Sequence, residues 1–324
     1  MTEHQTHSNL SFPTAATALL GMRYPIINAP MAGVAGGALA AAVSNAGGFG
    51  LIGGGYCDEA WIEQQFAEAR GARVGVGFIT WRLRENPAAL DTALKLNPAA
   101  VLLSFDDPTP WVTQIRDADA LVIAQVQSVR QAERAAQAGV DLIIAQGGEA
   151  GGHGGMRATL PLVPAVIDAV GALPVIASGG IADGRGILAA FALGASGVMM
   201  GSRFYVANEA LAGSRSKAAA LNACGDDTVR SDIFDQLRGW KWPPGYQLRT
   251  LSNETTQNGL SATSVQRFER AINDDDTTVA PVIVGEAVDL VDGGAPAQEI
   301  VHALMSQLGH SIDELYKVMR NADP

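Results

Sequence analysis

Basic side chains are scarce in this chain: 22 lysines and arginines stand against 33 acids, for a formal charge of −11 and a pI near 4.9. A surface that tracks nucleic-acid phosphates needs the opposite balance, so the composition argues against DNA or RNA as a partner. Long apolar runs are also missing. Segments such as Pro174–Ser178 fall far short of the ~20 residues that cross a bilayer, and no basic amphipathic helix suggests a membrane surface. Cysteine is almost absent. Cys57 and Cys224 stand in unrelated contexts without metal-ligand neighbours, which favours free thiols in a reducing compartment over a disulfide. The opening MTEHQTHSNLSF has neither a basic nor an apolar signal region, so a cytoplasmic location is expected.

What is present is a recurring short apolar segment. Strands are expected at Pro25–Asn28, Phe49–Gly53, Val74–Thr80, Ala100–Phe105, Leu121–Val126, Leu142–Gln146, Pro174–Ser178 and Gly197–Gly201, spaced by roughly 20 to 30 residues, the length of a βα unit. Their near-continuous hydrophobicity fits parallel strands covered on both faces. Helical patterns fall between them, at Ala35–Ala46, Glu59–Arg70, Val129–Gly139, Leu162–Val170 and Gly186–Leu193. Eight such units predict a (β/α)8 barrel of the α/β class, with an open doubly wound sheet as the alternative. The period breaks after Phe204. Residues 223–262 bring Phe234, Trp240, Trp242 and Tyr246 without a clear period, and read either as a loop packed on its own aromatics or as a lid over the barrel mouth. The expected organisation is a tail over residues 1–20, the barrel with its C-terminal helices over 21–222 and 263–324, and the inserted lid-like segment between them. Further helices are expected at Ser264–Ile272, Ala297–Leu308 and Ile312–Arg320.

Barrel enzymes work at the C-terminal ends of their strands. Those positions here are rich in glycine and poor in acids and bases. ASGGIADGRG (177–186) and MMGSRF (199–204) follow the seventh and eighth strands. Their bare N–H groups, with a helix beginning near Gly184, suit a phosphate grip built from backbone; apart from Arg203 no basic side chain is expected on the phosphate. A dinucleotide fingerprint does not fit the first unit, where the glycine spacing is GxxGG and no acid follows the second strand. The sixth strand leads into IIAQGGEAGGHGG (143–155), six of whose thirteen residues are glycine. His153 is the only histidine at a strand end, and its ordinary pKa suits proton transfer near neutral pH. Without a second histidine or a cysteine cluster a metal site is not expected. Glu149 is expected to bond backbone N–H groups of its own loop. Gln125 closes an otherwise apolar strand and could bond a heteroaromatic ring; Thr80 and Asp106 are weaker candidates of the same kind.

Taken in order, PIINAPMAGVAGGALAAAVSNAGGFGLIG, QGGEAGGHGG and PVIASGGIADGRGILAAFALGASGVMMGSRF resemble the nitronate monooxygenase family, FMN-dependent (β/α)8 barrels, over residues 20–205. RGWKWPPGY resembles the family's extra segment. The resemblance implies FMN across the barrel mouth. Ala29, Pro30 and Met31 would face the isoalloxazine, with Gln125 at its polar edge and Gly151 alongside. Ser178, Gly179, Gly180, Gly201 and Ser202 would hold the phosphate. His153 would take the α-proton of a nitroalkane or orient the nitronate, while a small-molecule substrate and O2 react to give a carbonyl compound and nitrite. Two departures stand out: Ser202 replaces a threonine, and GVGFITW on the third strand has Gly77 or Phe78 where several nitronate oxidisers carry asparagine. Related barrels reduce quinones or enoyl thioesters with NAD(P)H, which gives the alternative activity. A flavin-binding barrel without turnover is a third reading. The sequence leaves a homodimer open.

Overall fold

The structure is a computed structural model that describes residues 12–260 and 263–320; His4 and His7 lie outside the described residues. Eleven strands are present among them: β1 Ile26–Asn28, β2 Gly50–Gly55, β3 Val74–Ile79, β4 Ala100–Ser104, β5 Leu121–Val126, β6 Leu142–Gln146, β7 Gly152–Gly154, β8 Val175–Ser178, β9 Gly197–Met200, β10 Thr228–Ser231 and β11 Gln247–Leu251. Eight of them form one parallel sheet in the order β1-β9-β8-β6-β5-β4-β3-β2. A parallel bridge from Ile27 to Phe49 joins the two end strands, so the sheet closes into the expected (β/α)8 barrel.

The barrel strands are buried along nearly their whole length, because their outer side chains pack under helices and their inner ones fill the barrel. Leu51, Leu102, Ile144, Ile176 and Met199 belong to the inner cluster, which Ala16 and Leu20 join. Those two come from the helix Ala15–Leu20, begun by a reciprocal Thr14–Thr17 cap and ended by Gly21 in the left-handed conformation. Residues 15–20, placed in the expected tail, are therefore part of the barrel and plug its N-terminal end.

After the short helix Ser202–Tyr205 the chain leaves the ring. It returns as the helix Ala297–Arg320, which packs beside the helices Gly184–Ala192 and Gly37–Asn45 and supplies the eighth outer helix. The two helices expected here are one, since the buried stripe Ile300, Val301, Leu304, Met305 and Leu308 runs on through buried Gly309. Between 206 and 296 the chain builds a separate body over the barrel. Ile233, Phe234, Leu237, Leu248 and Phe268 form its apolar centre, so the excursion extends beyond the expected 223–262 to include the helix Val265–Asn273. Among the described residues no helix is long and apolar enough to cross a membrane.

The join between body and barrel is a small antiparallel sheet, β10-β11-β7. Its third strand is the glycine–histidine stretch itself, with His153 opposite Leu248 and Gly154 opposite Gln247.

Candidate active site

A cavity of about 410 Å3 opens at the C-terminal ends of the barrel strands, within the size range of small-molecule and cofactor sites. Ala29, Pro30, Met31, Gln125, Gly151, His153, Ser178, Gly179, Gly180, Gly201 and Ser202 all line it. These residues come from five segments at strand ends, separated by up to 173 positions of sequence (Ala29 to Ser202), and only barrel closure brings them together.

One end of the cavity is a cradle of bare backbone. Gly179 and Gly180 sit at φ +98° and +70°, conformations that glycine adopts without strain. Among the described residues the N–H groups of Gly151, Gly179 and Gly180 donate to no protein acceptor. A Cβ on Gly151 would lie 2.5 Å from the Val284 carbonyl carbon and 2.7 Å from Gly285 N, so this position excludes any side chain. Ser202 Oγ accepts from Gly285 N at 2.9 Å and keeps its own proton to donate. Two parts of the expected grip are otherwise engaged. The helix does begin at Gly184, but Asp183 accepts from Gly186 N and Gln307 accepts from Gly184 N, so its end already has acceptors. Arg203 turns away to Gly293 O and Asp292.

At the other end stands His153, 8% exposed. Its Nε2 lies 2.9 Å from Oδ2 of Asp235, itself 3% exposed. The imidazole lies flat on Trp242, with ring centroids 3.4 Å apart and 11° between planes, and Phe105 meets its edge. Phe105 holds φ +70° at the end of β4, a conformation costly for a bulky side chain and concentrated at functional sites. Burial pushes the His153 pKa below its ordinary value, and the Asp235 carboxylate only partly offsets this. The ring is therefore neutral near pH 7. An Nε2–H donated to the carboxylate leaves the lone pair on Nδ1, which makes no hydrogen bond among the described residues.

A chain of amides ties the histidine to the barrel. Gln125 Nε2 donates to Gln146 Oε1 at 3.1 Å, and Gln146 Nε2 donates to the His153 carbonyl at 3.1 Å. Glu149 does not bond its own loop. Its carboxylate accepts from Thr159 N and Thr159 Oγ1, across the loop at the start of the following helix, where the helix dipole favours a negative charge. Thr80 is fully buried with its hydroxyl unpartnered and does not line the cavity. Asp106 pairs with Arg84 at 2.9 Å.

The remaining wall of the cavity was not legible in the sequence. Tyr56, Arg238, Trp240 and Trp242 all line it, and Asp235 stands behind the histidine. The aromatics of 240–246 are a visible signal, since so many in a polar segment must pack on something. Asp235 has none: in IFDQLR it reads as an ordinary exposed helix acid, and only the packed body reveals that it turns inward.

Comparison with known proteins agrees with this geometry. A sequence profile of the nitronate monooxygenase family matches residues 14–76 and 80–307. A nitronate monooxygenase of Metarhizium robertsii is 35% identical over 275 residues, covering 75% of this chain and 77% of that protein. Among solved structures, FabK of Thermotoga maritima superposes with a TM-score of 0.82 at 30% identity, covering 94% of this chain and 99% of its own. A nitroalkane oxidase of Streptomyces ansochromogenes gives 0.78 at 26% identity, with 93% and 100% covered. With its closed barrel, its glycine cradle and a profile match across nearly the whole described chain, this protein belongs to the nitronate monooxygenase family, flavin-dependent oxidoreductases whose reaction is the oxidation of nitronates.

Proposed function

We propose that the chain binds FMN in this cavity and oxidises alkyl nitronates, and nitroalkanes after removal of their α-proton, with molecular oxygen. The reading rests above all on one juxtaposition: a neutral histidine held by a buried carboxylate lines the same cavity as a side-chain-free anion cradle. Ala29, Pro30 and Met31 offer a flat backbone edge for the isoalloxazine, Gln125 its polar partner, and Gly151 room alongside. Ser178, Gly179, Gly180, Gly201 and Ser202 hold the phosphate. Bound FMN supplies the electron acceptance and the reactivity with O2 that conversion of a nitronate to a carbonyl compound and nitrite requires.

His153 Nδ1 is the base that takes the α-proton of a neutral nitroalkane. Asp235 fixes the tautomer that leaves Nδ1 unprotonated, and it stabilises the imidazolium once the proton has moved. Trp242 covers one face of the ring and Phe105 meets its edge, and together they hold the ring plane. A nitronate has already lost that proton, so for it His153 only orients.

Anaerobic mixing tests the assignment. The flavin of the purified protein should bleach on addition of ethyl nitronate without any nicotinamide cofactor, and recover its yellow colour with air. Bleaching by NADPH at catalytic rates, with none by nitronate, would instead identify a nicotinamide-dependent reductase of quinones or enoyl thioesters.

A further inference from the structure

The cavity contains one charge that the chemistry above does not use. Arg238 is the only arginine or lysine among the described residues that line it, and it is half-buried. Its guanidinium lies over the faces of Trp240, at 4.9 Å from the ring centroid, and Phe268, at 5.5 Å. Among the described residues it forms no ion pair and no hydrogen bond. Asp235 lies one turn earlier on the same helix Ile233–Arg238, with a carboxylate oxygen, Oδ1, that has no hydrogen-bond partner among the described residues. Were Arg238 simply the counter-ion of Asp235, that oxygen would be the natural acceptor. The two do not meet. The two rings lie against the guanidinium, and its N–H groups reach no protein acceptor among the described residues, so the fork that can grip a planar anion through two parallel hydrogen bonds is unspent.

A half-buried cation that reaches no hydrogen-bond acceptor carries a loss of hydration that the two rings and the nearby Asp235 charge only partly offset, and a ligand anion would complete it. The cradle that takes a phosphate is built by the loops after β8 and β9, whereas Arg238 belongs to the body behind His153. Its partner is therefore an anion of the substrate. We propose that Arg238 is the anion-recognition residue of the substrate subsite, pairing its forked N–H edge with the two oxygens of the nitronate and selecting the deprotonated substrate over the neutral nitroalkane. This rests on the nitronate reading above and adds the residue that reads the substrate's charge.

A nitroalkane and its nitronate differ by one proton, so they form an internal control. Steady-state oxygen uptake is measured with the FMN-loaded wild type, R238M and R238K, using nitroethane and pre-ionised ethyl nitronate at one pH. Propionate, a planar carboxylate of similar shape, is titrated against the flavin absorbance as a readout free of turnover. In R238M the KM for ethyl nitronate should rise about 10- to 100-fold, the loss expected for a charged hydrogen-bonded pair, with kcat largely kept. The KM for nitroethane should stay within about twofold, propionate should no longer perturb the flavin, and R238K should restore part of both losses because it keeps the charge but not the fork. An equal rise for both substrates, or no rise for either, overturns the proposal. If the wild type oxidises neither substrate, the nitronate reading fails; the anion subsite then stands or falls on whether R238M abolishes the propionate response. If R238M does not fold, an unchanged nitronate KM in R238K overturns it.

Discussion

His153 joins two opposed environments, and the balance between them sets how the site responds to pH. Burial disfavours the imidazolium, Asp235 favours it, and burial prevails. Because the folded state then holds its proton less tightly than the unfolded chain, this histidine costs stability as the pH falls through about 6.5, the ordinary histidine value, towards the lowered one. The same displacement puts the acid limb of kcat/KM for a neutral nitroalkane below about 6.5. In D235N the carboxylate that raises the pKa is gone, so that limb should move to still lower pH. The plateau should fall roughly 100-fold, since an amide no longer dictates which nitrogen keeps the proton. With ethyl nitronate as substrate the same variant should lose much less. A limb that stays in place in D235N would show that Asp235 does not tune His153. The residue scale also accounts for a departure that was visible in the sequence. Gly77 and Phe78, one of which stands where several nitronate oxidisers carry asparagine, both line the cavity, and a Cβ on Gly77 would lie 2.4 Å from Pro30 Cγ. The backbone has settled against the proline, and a side chain at that position has no room.

The element that positions the histidine is β7, three residues long and two-thirds glycine. Nothing in its composition announces a strand. The eight barrel strands were legible because each is a short run without charge, most of them rich in aliphatic side chains, and buried on both faces. β7 exists only because β11, from the far side of the chain, supplies hydrogen bonds to it. Long-range pairing of this kind leaves no periodic trace in either partner. The pairing is clamped from above: Arg230 and Arg249 both donate to the Gly148 carbonyl, and Arg249 also pairs with Glu286 at 2.7 Å and with Thr228 Oγ1. Arg249 is 12% exposed along its side chain but Glu286 is 45% exposed, so the bonds to Gly148 and Thr228 are the shielded part of a clamp worth about 1–3 kcal/mol. R249M keeps the stem but removes the clamp, and it should lower Tm by several degrees, at roughly 2–4 °C per kcal/mol for a chain of this order of size. Amide exchange across 147–155 should quicken, and nitroalkane turnover should fall with it. Wild-type exchange rates in that loop would mean that the strand pairing alone holds the histidine.

At the scale of the whole molecule, the site is shared by two bodies. The barrel brings the anion cradle, the amide chain and the histidine's strand; the excursion over 206–296 brings Asp235, Trp242 and Arg238. The barrel half was readable because the repeat of strand and helix fixes where strand ends must gather, which is why His153 and the residues expected on the flavin line one cavity, while Thr80 and Asp106, also read from strand ends, do not. The other half was not, because an irregular segment carries no rule for which face turns inward. A ligand that touches both bodies stabilises the folded chain by mass action, and the phosphate supplies its own share of that effect. FMN at 100 times its Kd should add about 2.7 kcal/mol, or roughly 5–10 °C in Tm at the same conversion. Riboflavin has the same ring and lacks only the phosphate. If the bare N–H groups of Gly179 and Gly180 are the grip, riboflavin at equal concentration should give less than half of that shift, because its ring can use the barrel mouth but leaves the cradle solvated. Equal shifts from the two ligands would place the binding energy in the ring contacts and leave these glycines only the task of turning the chain.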